Sequence, residues 1–427
     1  MTGDKAKFRV LMFAPRFMPI CNPEAIVNAK LALAMLEAGW ELDVISRGFV
    51  GRCYEYGTQW CEPWLPLQAH THEIPYDMRR SWRDALTTAG SILRLGHPIS
   101  GCRVSAREAD LGLRLHRQRP YGVILSRASP DVGHLAPMKV ARETRLPWIA
   151  NWNDPPSGQM PPPYGRGPSG GAGFFHRRFL SRVAREASWH TFPCDRLARY
   201  IRACIPGGQI MEAKSTTIPH VSLGGYQPPS HVKGPAFVLG HAGLLGGHRH
   251  PGTLLQAIAE LRRQKGLQDR LRLRIVGREG PELAGLAREL GIESCIELAG
   301  DMDYVHSLDA IARCDLAVAV DAPCEEGVFL PSKFVDYIRT GRPILAVTPR
   351  AGTLSDIVSA HGGGIAADCR SYESVRSALE TLYACWEDGT LEDRYGSVRL
   401  QRLVSPGIVL GQYETIFRRL GVRGPGG

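Results

Sequence analysis

Lysine is scarce in this chain: eight of its 52 basic residues are lysines, at 5, 7, 30, 139, 214, 233, 265 and 333, and the other 44 are arginines. Long apolar runs are missing as well. No stretch approaches the roughly 18 apolar residues of a spanning helix. The opening MTGDKAKFRVLMFAP is charged and runs straight into a short apolar strand signal, too short for the core of a secretion signal, so a cytoplasmic location is expected. Paired cysteines are also lacking. The 11 cysteines form no C-x-x-C, and none sits at zinc-ligand spacing from a histidine. Reduced, mostly buried thiols are expected, with no metal site. No internal repeat of short period is visible.

What is present describes a globular protein of more than one core. The length of 427 residues suits two domains of about 200 residues each, and 44% hydrophobic and 8% aromatic residues are ordinary for globular chains. A net charge of +10 favours anionic partners such as phosphates or an acidic membrane surface. No nucleic-acid-binding module is recognisable, so nucleic acid is not expected as a partner. The charge concentrates in residues 79–119, with Arg79, Arg80, Arg83, Arg94, Arg103, Arg107, Arg114, Arg117 and Arg119, and in FFHRRFLSRVAR, residues 174–185. The second segment interleaves Phe174, Phe175, Phe179 and Leu180 with Arg177, Arg178, Arg182 and Arg185, as a helix at a membrane interface would. The alternative is the solvated face of a core helix.

Two blocks of alternating strand and helix signals flank SLGGYQPPSHVKGP, residues 222–235, whose glycine and proline content is that of a linker. In the first block the strand signals are FRVLMF (8–13), ELDVIS (41–46), GVILS (122–126) and PWIAN (147–151), with a clear helix near 24–38. In the second, AFVLG, LRLRIV, CIEL, DLAVAV and PILAV alternate with helical stretches near 252–264, 281–290, 305–313 and 332–340. Short apolar strands between helices predict parallel sheets covered on both faces, hence an α/β fold of two doubly wound domains. Residues 51–110 and 155–173 fit this plan poorly, and MPPPYGRGPSGG reads as a loop.

Open parallel sheets bind ligands at the carboxyl ends of their strands. There, after DLAVAV, Pro331 and Ser332 open a helix that Gly341 closes. On a helical wheel Phe334, Val335 and Ile338 face one way and Lys333, Asp336, Tyr337 and Thr340 the other, which predicts a packed side and a polar side. The free amides of the helix start favour a phosphate, Lys333 adds a full charge, and Asp336 one turn on suits the paired hydroxyls of a ribose. The bland alternative is a surface ion pair. In GHAGLLGGHRHPGTLLQAI (240–258), Gly243, Gly246 and Gly247 let backbone approach a ligand, and Arg249 offers a forked donor for phosphate oxygens. In IVGREGPELAGLA, Gly277 and Gly280 turn the chain, with Arg278 and Glu279 exposed to the same crevice or paired with each other in solvent.

Taken in order, the strand-end glycines with a nearby base, then IVGREGPEL, CIELAGDMD and SKFVDYIRTGRPILAV resemble the C-terminal half of GT-B glycosyltransferases of the retaining family 4 type. A common pattern of that family matches at Lys333, Asp336, Gly341 and Pro343, and the resemblance covers residues 236–368. It is fainter in FAPRFMPICNPEAIVNAKLALAMLEAGWELDVIS, SRASPDVGHL and LPWIANWNDP. The resemblance implies two Rossmann-like domains facing across a cleft: an acceptor-side domain at 1–221, a linker at 222–235, a nucleotide-sugar domain at 236–400, and a C-terminal helix and tail at 401–427 packing back on the first domain. It implies metal-independent transfer of a sugar, with retention, from a nucleoside diphosphate sugar to a hydroxyl on a glycan or lipid-linked glycan of cell-surface polysaccharide synthesis. No cofactor beyond the donor is implied. A peripheral contact with the inner face of the membrane follows from the basic segments. By the same resemblance Lys333, Arg249, His134 and Asp154 are catalytic candidates, and Gly243, Gly246, Gly277, Arg278, Gly300, Met302, Ser332 and Asp336 hold the donor. For His134 a packing or capping role is the alternative, and for Asp154 an ordinary turn. Two departures stand out. Many members carry a glutamate where this chain has Val328, with Glu325 or Glu326 as stand-ins, and the usual glycine pair after the first strand is replaced by Ile20, Cys21, Asn22 and Pro23. Alternative readings are a nucleotide-sugar epimerase of the same fold and a non-catalytic nucleotide-sugar-binding protein.

Overall fold

The computed structural model describes residues 8–49, 59–76, 83–168, 173–267, 270–280 and 282–424. Arg79, Arg80 and Cys53 lie outside them. The chain divides into two compact units: unit 1 holds the described residues of Met1–Pro161, Gly165–Gly224 and Pro406–Gly427, and unit 2 holds Pro162–Tyr164 and Gly225–Ser405.

Unit 1 is built on β1 (Arg9–Phe13), β2 (Glu41–Phe49), β3 (Thr71–Tyr76), β4 (Val123–Ala128), β5 (Trp148–Trp152), β6 (Trp189–Phe192) and β7 (Ser215–Thr217). These form one parallel sheet in the order β3-β2-β1-β4-β5-β6-β7. In β1, Val10, Leu11 and Met12 are wholly buried, because helices cover both faces of a parallel sheet. The helix Pro23–Glu37 starts where the Asn22 side chain accepts the Ala25 N–H at 2.9 Å and Pro23 occupies the first turn. The last helix, Pro406–Arg419, belongs to this unit: Phe417 packs against Phe8 and Trp40 at ring separations of 5.1 and 5.2 Å.

The stretch 51–110, which the periodicity fits poorly, contains β3, the helix Arg83–Leu95 and the first half of a second helix, Cys102–Gln118. Its inward face is masked in sequence by polar residues. Glu108 on the second helix takes a 2.7 Å ion pair from Arg47 of β2, and both side chains are buried with Ser105 beside them. FFHRRFLSRVAR lies in the helix Phe174–Glu186, in which Phe179, Leu180, Val183 and Ala184 are buried in unit 1 and Phe174 and Phe175 are exposed.

Unit 2 carries β8 (Phe237–Ala242), β9 (Leu271–Val276), β10 (Ile296–Gly300), β11 (Leu316–Val320), β12 (Glu326–Gly327), β13 (Ile344–Thr348), β14 (Ala351–Gly352) and β15 (Gly364–Asp368). Its main sheet is parallel throughout, in the order β10-β9-β8-β11-β13-β15, and β12 pairs with β14. Phe237, Leu239, Leu273, Ile275, Leu316 and Val318 line the core. The helix Ser332–Thr340 follows Pro331 and ends at Gly341, whose φ of 78° is the left-handed conformation glycine adopts without strain. The two-sided wheel needs correction here. Tyr337 and Thr340, placed on the polar side, are as buried as Phe334 and Val335. The Tyr337 hydroxyl accepts the Ala242 N–H at 2.8 Å, and Thr340 bonds the Tyr337 carbonyl at 2.7 Å, so polar atoms on this face are satisfied inside the protein.

Each main sheet reverses direction once: the chain moves outward from β1 to β3 before returning to β4, and outward from β8 to β10 before returning to β11. The carboxyl ends of β1 and β4, and of β8 and β11, are therefore topological switch points, where open α/β sheets hold ligands.

Of the described cysteines, Cys102, Cys194, Cys204, Cys295, Cys314, Cys369 and Cys385 are buried. No helix of the described residues is long and apolar enough to cross a membrane.

Candidate functional site

In unit 2 the chemistry gathers at the β8/β11 switch point. Lys333, in the first turn of its helix, donates from Nζ to the Ala242 carbonyl at 2.7 Å and lies 3.4 Å from His241 Nε2. His241 is fully buried, and its Nδ1 is 2.9 Å from the Val318 carbonyl. A carbonyl only accepts, so Nδ1 carries the proton and Nε2 presents its lone pair to Lys333. Burial and the neighbouring Lys333 charge hold the imidazole neutral, with its pKa lowered to about 3.

Burial also lowers the Lys333 pKa, to about 7, helped by Arg249 and opposed by Asp321 and Asp336. Asp321 is the first residue past β11. The Thr348 hydroxyl donates to it at 2.7 Å, and burial raises its pKa against the pull of Arg249 and Lys333. Arg249 bonds the Tyr164 hydroxyl, whose ring packs edge-on against His248 at 5.1 Å and Phe329 at 5.8 Å. Asp336 is buried and accepts the Tyr304 hydroxyl at 2.6 Å. Two cations, Lys333 and Arg249, thus sit beside the amide-rich start of a helix at Ser332, with a fixed carboxylate one turn along. That set fits a diphosphate and a ribose.

The glycines serve close approach. Gly243, Gly246 and Gly277 have φ of 84°, 151° and 123°. A Cβ on Gly277 would stand 3.2 Å from the Gly243 Cα, and one on Gly243 would stand 3.3 Å from Lys333 Nζ. The Gly247 N–H is taken by Glu282 at 3.0 Å. Gly300 turns at φ 74°, and its carbonyl accepts the Gly277 N–H at 2.8 Å, leaving Met302 exposed beyond it. Arg278 instead makes an exposed 2.9 Å ion pair with Asp301, the bland reading with a different partner. Val328 is buried, and Glu325 and Glu326 are exposed, Glu325 just before β12 and Glu326 in it.

In unit 1 the two sequence candidates part company. His134 is wholly buried: its Nδ1 meets the Ser126 hydroxyl at 2.8 Å, and its ring packs on Trp152 at 4.4 Å and Trp148 at 6.0 Å. Desolvation lowers its pKa to about 3. Its Nε2 is buried without a hydrogen-bond partner among the described residues. Asp154 stands past the end of β5, partly buried, accepting the Ser129 hydroxyl with Arg16 nearby, and burial raises its pKa. Beside it is Glu24, which the sequence reading passed over. Asn153 and Asn28 donate to Glu24 Oε1 at 2.8 and 3.2 Å. Burial and the Asp154 charge push the Glu24 pKa up to about 8. Among the described residues no group of three His, Cys, Asp or Glu side chains is arranged to hold a metal ion.

His241, Asp321, Tyr304 and Tyr164 also escaped the sequence reading. Asp321 had a signal, as the residue directly after an apolar strand; the others depend on contacts between distant segments.

No protein-family model matches the chain, and no curated protein matches its sequence. Solved structures do. Anabaena HepE in complex with UDP and glucose is similar over 96% of this chain and 99% of its own, with 14% identity and a TM-score of 0.63. Sucrose-phosphate synthase from Thermosynechococcus elongatus is similar over 97% and 99%, with 13% identity and a TM-score of 0.65. WaaG, a glycosyltransferase involved in lipopolysaccharide biosynthesis, is similar over 98% and 100%, with 13% identity and a TM-score of 0.57. The chain has the GT-B fold.

Proposed function

We propose that the protein is a retaining glycosyltransferase that moves a sugar from a nucleoside diphosphate sugar to a hydroxyl acceptor. The observation that carries this reading is the placement of Lys333 and Arg249 at the β8/β11 switch point, beside the start of the helix that holds Asp336. As the bond from sugar to diphosphate breaks, negative charge grows on the departing phosphate. Lys333, Arg249 and the amides at Ser332 stand ready to stabilise it, the work a metal ion performs elsewhere. Asp336, fixed by Tyr304, holds the ribose, and the backbone from Gly300 to Met302 meets the base. The fold neighbours support a nucleotide-sugar donor: HepE is similar in fold and binds UDP with glucose.

The acceptor we propose is a glycan or lipid-linked glycan of cell-surface polysaccharide synthesis, met at a membrane. Two helices of unit 1 support this. Helix Phe174–Glu186 exposes Phe174, Phe175, Arg177, Arg178 and Arg185, and helix Arg83–Leu95 exposes Leu86, Leu93 and Arg94. His97, just past the second, packs on Phe179 of the first at 5.4 Å, so the two share one flank of the unit. The buried Val328 favours one rival reading, nucleotide-sugar binding without turnover, since no carboxylate stands at that position. Incubation with nucleoside diphosphate sugars and glycan acceptors decides. A glycosylated product with the donor's anomeric configuration by NMR supports the proposal; an inverted product overturns retention, and binding without any product leaves the non-catalytic reading.

A further inference from the structure

Lys333 is not placed by its own helix alone. The parallel pairing of β8 with β11 stops at Gly240 and Ala317, and in the next position the His241 ring takes over, with Nδ1 2.9 Å from the Val318 carbonyl. The ring is wholly buried. Burial and the Lys333 and Arg249 charges disfavour the imidazolium, and they outweigh the Val318 and Leu244 carbonyls, which favour it. His241 is therefore neutral, and Val318 holds its one ring proton on Nδ1. Nε2 offers a lone pair.

That lone pair meets Lys333 Nζ at 3.4 Å, and the Ala242 carbonyl meets the same nitrogen at 2.7 Å. An ammonium has three N–H groups. Among the described residues these two acceptors are the hydrogen-bond partners of Nζ, so two N–H directions are assigned and tetrahedral geometry fixes the third. The Gly243 turn gives the amine its room, since a Cβ there would stand 3.3 Å from Nζ. We infer that His241 is a positioning residue, one that holds Lys333 so that a single N–H is left for the donor diphosphate. The inference rests on the glycosyl-transfer reading and gives a role to a side chain that acts through Lys333.

The same arrangement decides what a phosphate meets when Lys333 loses its proton. A neutral amine has two N–H groups, and with Ala242 and His241 taking both, its lone pair turns to the third direction. A phosphate oxygen is then repelled. Lys333 thus holds phosphate in its charged form, and His241 favours that form by accepting from it. Burial and Arg249 act against the charge, and Asp321 and Asp336 act for it.

The test uses the full chain and inorganic pyrophosphate, which carries two phosphates and no base, with binding measured by calorimetry from pH 6 to 9. Pyrophosphate titrates identically with every variant, so a difference between variants belongs to the protein. His241→Asn keeps a donor for Val318 and loses the acceptor for Lys333: binding at pH 7 should weaken about tenfold, and the midpoint of its fall with pH should move down by about one unit. His241→Leu, which keeps the bulk, is a second acceptor-free variant with the same expectation, so the test stands if either is folded by circular dichroism. His241→Gln, whose amide oxygen reaches the place of Nε2, should return both readings to within about twofold of the parent. Loss of packing alone would not move the midpoint. Parent affinity and midpoint in the acceptor-free variants, or a His241→Gln that behaves as they do, overturns the inference. If the parent binds neither pyrophosphate nor any nucleoside diphosphate, the glycosyl-transfer reading itself falls, and the inference with it.

Discussion

Lys333 gives a 2.7 Å hydrogen bond to the carbonyl of Ala242, so its ammonium is tethered to the end of β8 directly beside the Gly243 turn. Both are fixed by the sheet and by one short helix. The amine is thus in position before any phosphate arrives, which removes an ordering cost from donor binding.

The same burial makes donor binding pH-dependent. In the free protein Lys333 titrates near about 7, and a bound diphosphate favours its charged form. Affinity for a nucleoside diphosphate sugar should therefore fall as pH rises from 7 to 9, by at most about tenfold per unit. Calorimetry in buffers of different ionisation enthalpy should show proton uptake at pH 8. Stability of the free protein runs the other way: between about 7 and the ordinary lysine value the unfolded chain binds the extra proton, so this group makes folding more favourable as pH rises. Lys333→Met should abolish both effects.

Lys333→Ala should lower turnover by a factor of about 100 while the protein stays folded, as removal of a fixed donor to developing charge does. Asp336→Ala should act mainly on donor KM. Tyr304→Phe, which removes the 2.6 Å bond to Asp336, should raise donor KM about fivefold and leave kcat near the parent value. If all three variants keep parent kinetics, the assignment of the β8/β11 site fails.

How much of this was legible in sequence depended on whether one segment held the signal. The helix Ser332–Thr340, its Pro331 start and its Gly341 stop are local, as are the apolar strands β1, β8, β11 and β13, and periodicity finds them. The inward faces of Cys102–Gln118 and Ser332–Thr340 were not legible, because Glu108, Tyr337 and Thr340 are buried by partners that sequence does not place: Arg47, Ala242 and the helix's own carbonyls. Glu24 and Asp154 lie 130 positions apart, and only the return of the chain from β3 to β4 brings their strand ends together. The burial of His134 was not legible for the same reason: its neighbours Ser126, Trp148 and Trp152 close around it from β4 and β5.

That burial makes His134 a stability residue. His134→Ala should cost about 2–4 kcal/mol of unfolding free energy in urea titrations, by cavity formation and loss of the Ser126 bond. Because the folded imidazole resists protonation down to about pH 3, the unfolded chain binds the extra proton below its ordinary value, and stability falls as pH drops from 6.5 towards 3. His134→Phe should flatten that fall by about one proton's slope. Donor binding should be unaffected by either change.

Membrane contact is testable with vesicles. Three exposed arginines on Phe174–Glu186, at about 1 kcal/mol each near an anionic surface, predict on the order of a hundredfold preference for phosphatidylserine-containing over neutral vesicles, lost in high salt. Arg177→Glu with Arg178→Glu should remove most of it. Equal partitioning onto both vesicle types would favour a soluble acceptor.

The central claim is that the Lys333 and Arg249 site of unit 2 binds a nucleoside diphosphate, and ligand-induced stabilisation tests it most directly. Across a panel of nucleoside diphosphates, at least one at 100 times its Kd should stabilise the parent protein by about 2.7 kcal/mol. Lys333→Met should lose most of that gain, and Arg278→Ala, paired in solvent with Asp301, should keep it. No stabilisation by any nucleoside diphosphate, or the same stabilisation in Lys333→Met as in the parent, would contradict the account.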